Sequence, residues 1–462
     1  MAAEMQEERG MTMGQAVAEA SRCLYCHDAP CAGGCPAEVD VVSFIHKIRT
    51  RNFAGAARVI RRSNLLGGIC ARVCPTEEQC QKECSSRTLG RPIDIGALQR
   101  FVCDLEEPRL EKGEATGKKV AVIGAGPAGL AAAAELNRLG ESVAVFEAQA
   151  LPGGAMTYAI PPYRLPWETI AREVEAIRAA GVEIRTSTAV GREVPVERLL
   201  GDYDAVFLGA GLGKGSRLGI PGEDLPGVAS ALHFLSQVNR AAVEGGALPV
   251  LSGAVAVIGG GNTAMDAART ALRLGASKAT VFYRRSAAEM PAWKAEYEAA
   301  LAGGVEFAWL TAPASIAAAS PTSMGVASPA GLGPDSAAPG GPLRLNLVRM
   351  RLGDPDASGR RRPVPVQGSE FSVEVTAVIT AAGQEPAGDL ARALNLKVDS
   401  RGNPVVDPGT GATSNSKVFA GGDLVNGGET VVRAVAEGRK AAAAIHAYLE
   451  SRTPEPGSGS SN

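Results

Sequence analysis

The cysteines are the residues whose spacing most clearly indicates chemistry. Eight of the nine lie between Cys23 and Cys84, and none follows Cys103. They form two groups, Cys23-x2-Cys26-x4-Cys31-x3-Cys35-Pro36 and Cys70-x3-Cys74-Pro75-x4-Cys80-x3-Cys84. Short gaps with a proline after a cysteine are typical of iron–sulfur ligation, in which a later cysteine often binds the other cluster of a two-cluster domain.

Structural zinc is the main alternative for these thiols. A zinc site favours two separated Cys-x2-Cys pairs, and only one such pair is present here. A disulfide framework fits less well, because the chain is far longer than the small domains that need such bridges. Basic residues between the two groups, from Lys47 to Arg62, form either a solvated helix face or a counter-charge to the clusters.

A dinucleotide-binding fingerprint follows the cysteines. Residues 118–129 read KKVAVIGAGPAG, an apolar strand that runs into G-x-G-x-x-G and an Ala-rich helix, and the next strand ends at Glu147. Such glycines allow a pyrophosphate to approach a helix N-terminus, and the acid can accept hydrogen bonds from a ribose. The candidate binding residues are Gly124, Gly126, Pro127, Ala128, Gly129, Glu147 and Gly154.

The same unit recurs at residues 254–264, AVAVIGGGNTA, where the candidates are Gly259, Gly261, Asn262 and Thr263. No acid ends its second strand; Arg284 and Arg285 stand there instead. Arginines at that position suit a 2′-phosphate and therefore NADP(H), although they can also be ordinary surface residues. Two such folds imply two dinucleotides, most simply FAD and a nicotinamide nucleotide.

A third candidate segment lies near the end of the chain. Gly422 and Asp423 follow a short apolar stretch, and Thr430 precedes a helix. This pattern could place Asp423 on a flavin ribityl hydroxyl and direct the helix dipole towards the isoalloxazine ring. A plain turn aspartate is the alternative.

The elements that position these residues indicate an α/β fold. A length of 462 residues suggests about three domains, and 45% hydrophobic but only 4% aromatic residues suit packed α/β layers. A net charge of −2 gives no global attraction to nucleic acid or to an anionic membrane. No apolar run reaches the length of a membrane span and the first twenty residues are polar, so we expect a cytoplasmic protein.

The sequence predicts an N-terminal all-α iron–sulfur domain followed by two nested Rossmann-like domains. We expect the helical domain at residues 1–112, a discontinuous FAD domain at 113–225 plus 375–452, and an NAD(P) domain at 226–374. A strand near residues 374–383 is expected to return to the FAD domain. A flexible insertion at 311–342 and a disordered tail at 453–462 complete the assignment.

The two fingerprints and the cysteine domain together resemble one flavoprotein family, which contains the glutamate synthase small subunit and the corresponding parts of dihydropyrimidine dehydrogenase. Residues 21–31 (SRCLYCHDAPC), 70–80 (CARVCPTEEQC) and 92–101 (PIDIGALQRF) are similar to the dihydropyrimidine branch. The Cys-Pro-Ala-Pro-Cys-Glu pattern usual in glutamate synthase is absent. The resemblance covers nearly the whole chain.

The resemblance implies a cofactor set and a ligand set. One [4Fe-4S] cluster would be bound by Cys23, Cys26, Cys31 and Cys84, and the other by Cys35, Cys74, Cys80 and the amide oxygen of Gln99. Spacing alone nominates Cys70 in place of Gln99. Cys103 has no assigned role other than as a buried small side chain.

The function implied is that of an electron-input subunit. NAD(P)H would reduce FAD, and electrons would pass through two clusters to an FMN-containing partner that reduces uracil or thymine. The branch is named for NAD, whereas residues 283–291 resemble the NADPH segment of glutamate synthase, so NADPH and NADH both remain open. The alternatives are the glutamate synthase small subunit and an assembly module with structural zinc. No catalytic acid or base is assigned to this chain.

Overall fold

The computed structural model describes residues 10–319, 341–356, 359–386 and 389–452. The chain divides into two compact units. Among the described residues, the larger unit contains 10–157, 167–213 and 386–452, and the smaller unit contains 158–166 and 214–385.

The helices and strands are numbered in chain order. The helices are α1 (Met13–Ala20), α2 (Pro30–Gly33), α3 (Val41–Arg49), α4 (Phe53–Ser63), α5 (Gly67–Val73), α6 (Ile95–Leu105), α7 (Pro127–Leu139), α8 (Ala155–Tyr158), α9 (Trp167–Ala179), α10 (Val196–Asp202), α11 (Ala231–Glu244), α12 (Asn262–Arg273), α13 (Lys294–Ala302), α14 (Leu390–Ala393), α15 (Asp423–Asn426) and α16 (Val431–Glu450). The strands are β1 (Lys119–Ile123), β2 (Ser142–Phe146), β3 (Glu183–Arg185), β4 (Ala205–Leu208), β5 (Leu212–Gly215), β6 (Val228–Ser230), β7 (Ala254–Ile258), β8 (Lys278–Tyr283), β9 (Glu306–Trp309), β10 (Thr311–Ala318), β11 (Leu343–Pro355), β12 (Arg361–Pro365), β13 (Phe371–Val375), β14 (Ala377–Thr380), β15 (Gln384–Pro386) and β16 (Val418–Ala420).

The cysteine region is all helical, as predicted, with 3-10 turns between α5 and α6. Three of its helices begin at short polar residues whose side chains accept hydrogen bonds from the first turn: Asp40, Asn52 and Asp94 do this for α3, α4 and α6. Such caps satisfy backbone donors that the helix leaves free. Fully buried side chains such as Phe44 and Leu98 form the core, so the cysteines sit on a packed scaffold.

The larger unit also contains a parallel five-stranded sheet in the order β16-β4-β1-β2-β3. The segment from β1 through α7 to β2 is the predicted β-α-β unit, and β1 pairs with β2 from Lys119↔Ser142 to Ile123↔Phe146. The C-terminal strand β16 pairs with β4. The fold is therefore completed by residues that lie about three hundred positions after its first strand.

The smaller unit contains the second parallel sheet, in the order β6-β14-β7-β8-β9. Its β7, α12 and β8 reproduce the second predicted β-α-β unit. Strand β11 pairs in antiparallel fashion with β10, β12 and β13. The predicted architecture of a helical domain followed by two nested Rossmann-like folds is confirmed.

Two details of the predicted domain layout are wrong. Strand β14 pairs with β7 and β6, so the strand expected to return to the FAD domain belongs to the second fold, and β16 is the strand that returns. The proposed insertion at 311–342 begins as β10, which pairs with β11 and buries Ile316. Pairing with a distant apolar strand thus overrides a loop-like composition.

The rest of that insertion, residues 320–340, and the tail at 453–462 lie outside the described residues. Of the helices in the described ranges, none combines the length and the apolar character needed to cross a membrane.

The packing of α16 on α7 gives a test of the fold. A Cβ atom on Gly438 would lie 2.2 Å from the carbonyl oxygen of Ala128, which is backbone and cannot move aside. We expect Gly438→Ala to lower the free energy of unfolding by about 1–3 kcal/mol, as overpacking does.

The matched control is Gly201 in α10, where a Cβ would meet no atom within 4 Å. Gly201→Ala should leave stability unchanged or raise it by about 0.4–1 kcal/mol. Urea unfolding followed by circular dichroism compares the two variants. Equal stability of both would contradict the close contact.

Candidate functional site

The first nucleotide loop joins β1 to α7. Gly124 adopts φ +97°, and a Cβ there would lie 2.6 Å from the Gly209 carbonyl oxygen, so the turn requires glycine. Gly126 is the N-cap of α7 and Pro127 its first residue, followed by Ala128 and Gly129. A Cβ on Gly126 would meet nothing closer than 4.0 Å. The loop therefore presents open space at a helix N-terminus, which fits a pyrophosphate.

Glu147, directly after β2, stabilises this loop through hydrogen bonds. It is 6% exposed, and its carboxylate accepts hydrogen bonds from the backbone N–H groups of Ala125 and Gln149, both at 2.8 Å. Burial raises the pKa of Glu147. A carboxylate has about four acceptor positions, so ribose hydroxyls can still be bound. Gly154 lies beside the loop, because its own Cβ would come 2.9 Å from Gly126 Cα.

The C-terminal segment reaches the same loop within the larger unit. A Cβ on Gly422 would lie 2.7 Å from Ala128 Cβ, which places the Gly-Gly-Asp turn against the start of α7. Burial raises the pKa of Asp423 to about 6. Thr430 is the N-cap of α16 and accepts from Arg433 N at 3.2 Å. The three segments expected to bind FAD are therefore brought together.

Glu437 supports this turn and was not predicted. Its carboxylate accepts from Gly422 N at 2.8 Å and from the Asn426 side chain at 3.1 Å. Its position on the second turn of α16 carries no sequence signal, because the contact depends on how α16 packs against β16.

The second nucleotide loop, between β7 and α12, lies in the smaller unit. Gly259 begins the turn, and Gly261 is the N-cap of α12, where a Cβ would meet no atom within 4 Å. Thr263 is partly buried in the first turn of α12. Asn262 already accepts a hydrogen bond from Trp293 N at 2.9 Å, which joins the loop to the segment before α13. The open helix N-terminus fits a second pyrophosphate.

The two predicted phosphate-binding arginines have different environments. Arg284 is exposed and has no ion pair with another described residue. Arg285 is 5% exposed, pairs with Asp356 at 2.6 Å and donates to the Arg361 carbonyl oxygen at 2.8 Å. The prediction for Arg285 is therefore corrected, because a buried guanidinium already paired with a carboxylate holds β12 rather than facing a nucleotide.

The cysteines lie in two neighbouring groups in the helical domain. Burial and the nearby Cys84 and Cys23 raise the pKa of the Cys31 thiol to about 11. Burial and the nearby Cys35 raise the pKa of Cys80 to about 12. Buried thiols of this kind ionise readily only beside a positive charge, which bound iron supplies. The donor set therefore fits iron–sulfur ligation.

No three His, Cys, Asp or Glu side chains of the described ranges are arranged to hold a single metal ion. In a four-iron cluster each ligand binds a different iron atom, so its ligands need not meet at one point. Cys26 adjoins Cys23, and Cys84 adjoins both Cys23 and Cys31, which matches the first predicted ligand set.

The fourth ligand of the second set has two candidates. Cys70 is 1% exposed and is a hydrogen-bond partner of Cys74, beside Cys35 and Cys80. Gln99 is 9% exposed, and its amide nitrogen donates to the Gly67 carbonyl oxygen at 2.7 Å. The structure thus places Cys70, which spacing nominates, directly among the second thiols. Cys103 is fully buried, as expected.

Glu173 on α9 links the first nucleotide fold to the cysteine helices and was not predicted. It is 1% exposed and accepts from Gly68 N at 2.7 Å and from Ile69 N at 3.4 Å, at the start of α5. Burial raises the pKa of Glu173 to about 7. The amphipathic pattern of α9 gives no sign that one of its acids caps a helix a hundred residues earlier.

A buried ion network anchors residues 158–166 within the smaller unit. Arg164 pairs with Asp266 on α12 at 2.7 Å and with Glu296 on α13 at 2.5 Å. Arg269 also pairs with Glu296, at 3.4 Å. This network attaches residues 158–166 to α12, the helix that begins at the second nucleotide loop. In the sequence, residues 158–166 lie between two parts of the first fold.

Comparison with known proteins identifies the domains. Residues 2–110 match the family model described as dihydropyrimidine dehydrogenase domain II, 4Fe-4S cluster. Residues 118–329 and 351–438 match the pyridine nucleotide-disulphide oxidoreductase family.

Several curated proteins are similar over most of this chain. The beta subunit of the NADP(+)-dependent formate dehydrogenase of Moorella thermoacetica is 41% identical over 93% of this chain, which spans 61% of that protein's length. The Escherichia coli glutamate synthase [NADPH] small chain is 37% identical over 95% of this chain and 92% of its own. A Salmonella typhi protein named as a homolog of the NAD-dependent dihydropyrimidine dehydrogenase subunit PreT is 37% identical over 96% of both chains.

Solved structures show the same fold at low identity. Mycobacterium tuberculosis FprA in complex with NADPH has a TM-score of 0.57 at 19% identity, over 72% of this chain and 85% of its own. Lactococcus lactis thioredoxin reductase has a TM-score of 0.52 at 19% identity, over 72% and 99%.

These matches confirm the predicted family and its cofactors, a 4Fe-4S cluster, FAD and a nicotinamide nucleotide, while the number of clusters stays a prediction. The chain belongs to the pyridine nucleotide-disulphide oxidoreductases that carry an N-terminal 4Fe-4S domain, and it is an oxidoreductase.

Proposed function

We propose that this chain is the electron-input subunit of a larger oxidoreductase. It takes hydride from NAD(P)H at the second fold and delivers electrons through the cysteine domain to a separate catalytic subunit. The observation that carries this proposal is the direct packing of the cysteine helices on the first nucleotide fold, within one compact unit. Glu173 caps α5, and Arg439 of α16 donates to the Ser63 carbonyl oxygen at 2.7 Å.

FAD, when bound, supplies the conversion of a two-electron hydride donor into single electrons that iron–sulfur clusters accept. The chain's own residues bind and orient it. The open N-terminus of α7 would face the pyrophosphate, Glu147 the ribose, and Asp423 with the N-terminus of α16 the flavin end. Neither nucleotide fold contains a cysteine, so a redox disulfide has no place beside the flavin.

The partner that we propose is an FMN-containing subunit that reduces uracil or thymine to the 5,6-dihydropyrimidine. The similarity to a dihydropyrimidine dehydrogenase subunit over nearly the whole of both chains supports it. The glutamate synthase small chain has the same identity, so a partner that uses glutamine and 2-oxoglutarate is the second candidate. The formate dehydrogenase subunit, at 41% identity, adds formate oxidation as a third. A cytoplasmic location is part of the same proposal.

The decisive experiment is anaerobic copurification of the full chain with the large subunit that it retains. NADPH and NADH oxidation would then be measured with uracil or thymine and, separately, with glutamine plus 2-oxoglutarate; NADP⁺ reduction would be measured with formate. We expect pyrimidine-dependent turnover. Turnover only with glutamine plus 2-oxoglutarate would replace the partner while leaving the electron-input role intact. NADP⁺ reduction only with formate would mean that electrons flow from the partner to the nicotinamide, and it would overturn that role.

Coenzyme preference gives a second test. We expect Arg284→Ala to raise the KM for NADPH about tenfold, because a charge-assisted hydrogen bond is worth about 1.5–3 kcal/mol. The KM for NADH should change little. Arg285→Ala serves as the comparison and should lower the thermal midpoint, since it leaves Asp356 without its buried partner. If Arg284→Ala raises the KM for NADPH and NADH equally, Arg284 does not bind the 2′-phosphate.

The fourth ligand of the second cluster can be tested by parallel substitution. With two clusters, the anaerobically purified chain should contain about eight iron atoms, four for each cluster. If Cys70 is the ligand, Cys70→Ala should lose about half of the iron and Gln99→Ala should keep it. The reverse pattern would support Gln99. Iron analysis and electron paramagnetic resonance after reduction distinguish the two results.

A further inference from the structure

The helical hairpin formed by α3 and α4, residues 41–63, has an unusual charge composition. It contains no Asp or Glu and six basic residues, Lys47, Arg49, Arg51, Arg58, Arg61 and Arg62. The net charge of the whole chain is only −2, so the remainder is net acidic. Positive charge is therefore concentrated on one supersecondary element of the cysteine domain.

Little of this charge is used in hydrogen bonds or ion pairs with other described residues. Arg61 donates to the carbonyl oxygens of Glu106 and Glu107 at 2.6 and 3.0 Å. Arg49, Arg51, Arg58 and Arg62 are exposed, and none forms an ion pair with another described residue. Exposed arginines on the first nucleotide fold behave differently, because Arg192 and Arg198 each pair with a neighbouring acid.

Helix stability explains only part of this pattern. Cations in the last turn of a helix interact favourably with its dipole, which accounts for Lys47, Arg49 and Arg62. Arg58 lies in the middle of α4, and Arg51 lies in the turn with a φ of +60°. Arg58 and Arg62 are also four residues apart, where like charges are destabilising. The fold alone therefore gives no reason for Arg51 and Arg58 to be arginine.

The hairpin adjoins the first cysteine group. Tyr25, between Cys23 and Cys26, packs edge-on against His46 of α3, with ring centroids 5.3 Å apart. The Arg49 guanidinium lies 5.4 Å from the same tyrosine ring. Leu24 beside it is 49% exposed. An exposed apolar residue among cations, next to the cluster ligands, is an arrangement suited to a protein interface.

On the other side of the hairpin, Arg58 and Arg62 line a cavity of about 1140 Å³. Arg109, Arg138 and Arg439 line it as well, together with Glu106, Glu107, Glu111 and Glu135. Glu135 pairs with both Arg138 and Arg439. The cavity lies along α4 and the second half of α7, at the opposite end of that helix from the nucleotide loop. It is thus separate from the candidate FAD site, and the exposed Arg58 and Arg62 on its rim form no ion pair with another described residue.

We propose that the α3–α4 hairpin is the docking surface for an acidic face of the protein subunit that accepts electrons from this chain. The proposal rests on the electron-input function above. Complementary charge steers encounter and fixes orientation, and it places the partner beside the first cysteine group. Because exposed charges are screened by salt, association should weaken as ionic strength rises.

The test uses the full holo chain and three double variants. Arg58→Glu with Arg62→Glu reverses the charge, and Arg58→Lys with Arg62→Lys retains it. Arg192→Glu with Arg198→Glu reverses the same number of charges on the first nucleotide fold, where surface pairs contribute little to stability. Fluorescein-labelled poly-L-glutamate and the copurified large subunit are the two binding probes.

At low salt we expect the hairpin Glu variant to bind both probes at least about tenfold more weakly than wild type, which is about 1.4 kcal/mol. The Lys variant and the Arg192/Arg198 control should stay near wild type, and all differences should shrink in high salt. Unchanged binding by the hairpin Glu variant, or an equal loss in the control, would overturn the proposal.

Two further measurements distinguish failure of the docking proposal from failure of the proposed electron-input function. NAD(P)H oxidation with benzoquinone, a small neutral acceptor, tests hydride input and should be the same in all variants. If wild type lacks this activity, the proposed function fails, whereas the poly-L-glutamate result still stands. Binding to vesicles of phosphatidylcholine and phosphatidylserine that is lost only in the hairpin Glu variant would assign the surface to a membrane instead and overturn the proposal.

Discussion

The close contact between α7 and α16 holds the larger unit in its arrangement. The two helices approach until only glycine fits at position 438 against the backbone of Ala128. In the sequence, the second fold separates the first nucleotide loop from the C-terminal segment. The contact between α7 and α16 places the two next to each other in space. It brings Gly422, Asp423 and the N-terminus of α16 to the loop made by Gly124 to Gly129, so residues about three hundred positions apart form one candidate FAD site.

The same unit must also stabilise buried thiols. Burial raises the pKa of Cys31 to about 11 and that of Cys80 to about 12, so these groups favour the neutral form unless a cation is present. Bound iron would supply that charge, and the helical scaffold fixes the cysteines through capped helices and a packed core. Glu173 extends this scaffold into α9. The positions of the cysteines therefore depend on the first nucleotide fold as well as on their own helices.

Arginine has two distinct uses in this molecule. Buried arginines such as Arg164 and Arg285 are paired with carboxylates, since an unpaired buried charge is costly, and they hold distant segments of the smaller unit together. Exposed arginines such as Arg58, Arg62 and Arg284 can meet an anionic ligand or partner. Sequence cannot separate the two uses, because Arg284 and Arg285 are neighbours and only the position of Asp356 decides which one is buried.

The cysteine groups, both nucleotide fingerprints and the order of the domains could be predicted from the sequence. These signals are local, since a strand, a glycine turn and a helix lie within about thirty residues of one another. Contacts between distant segments decided the rest. They assigned β14 to the second sheet, made β10 a strand despite its composition and brought Glu437 to Gly422. Each of these outcomes depends on packing between separate elements, and no local pattern records it.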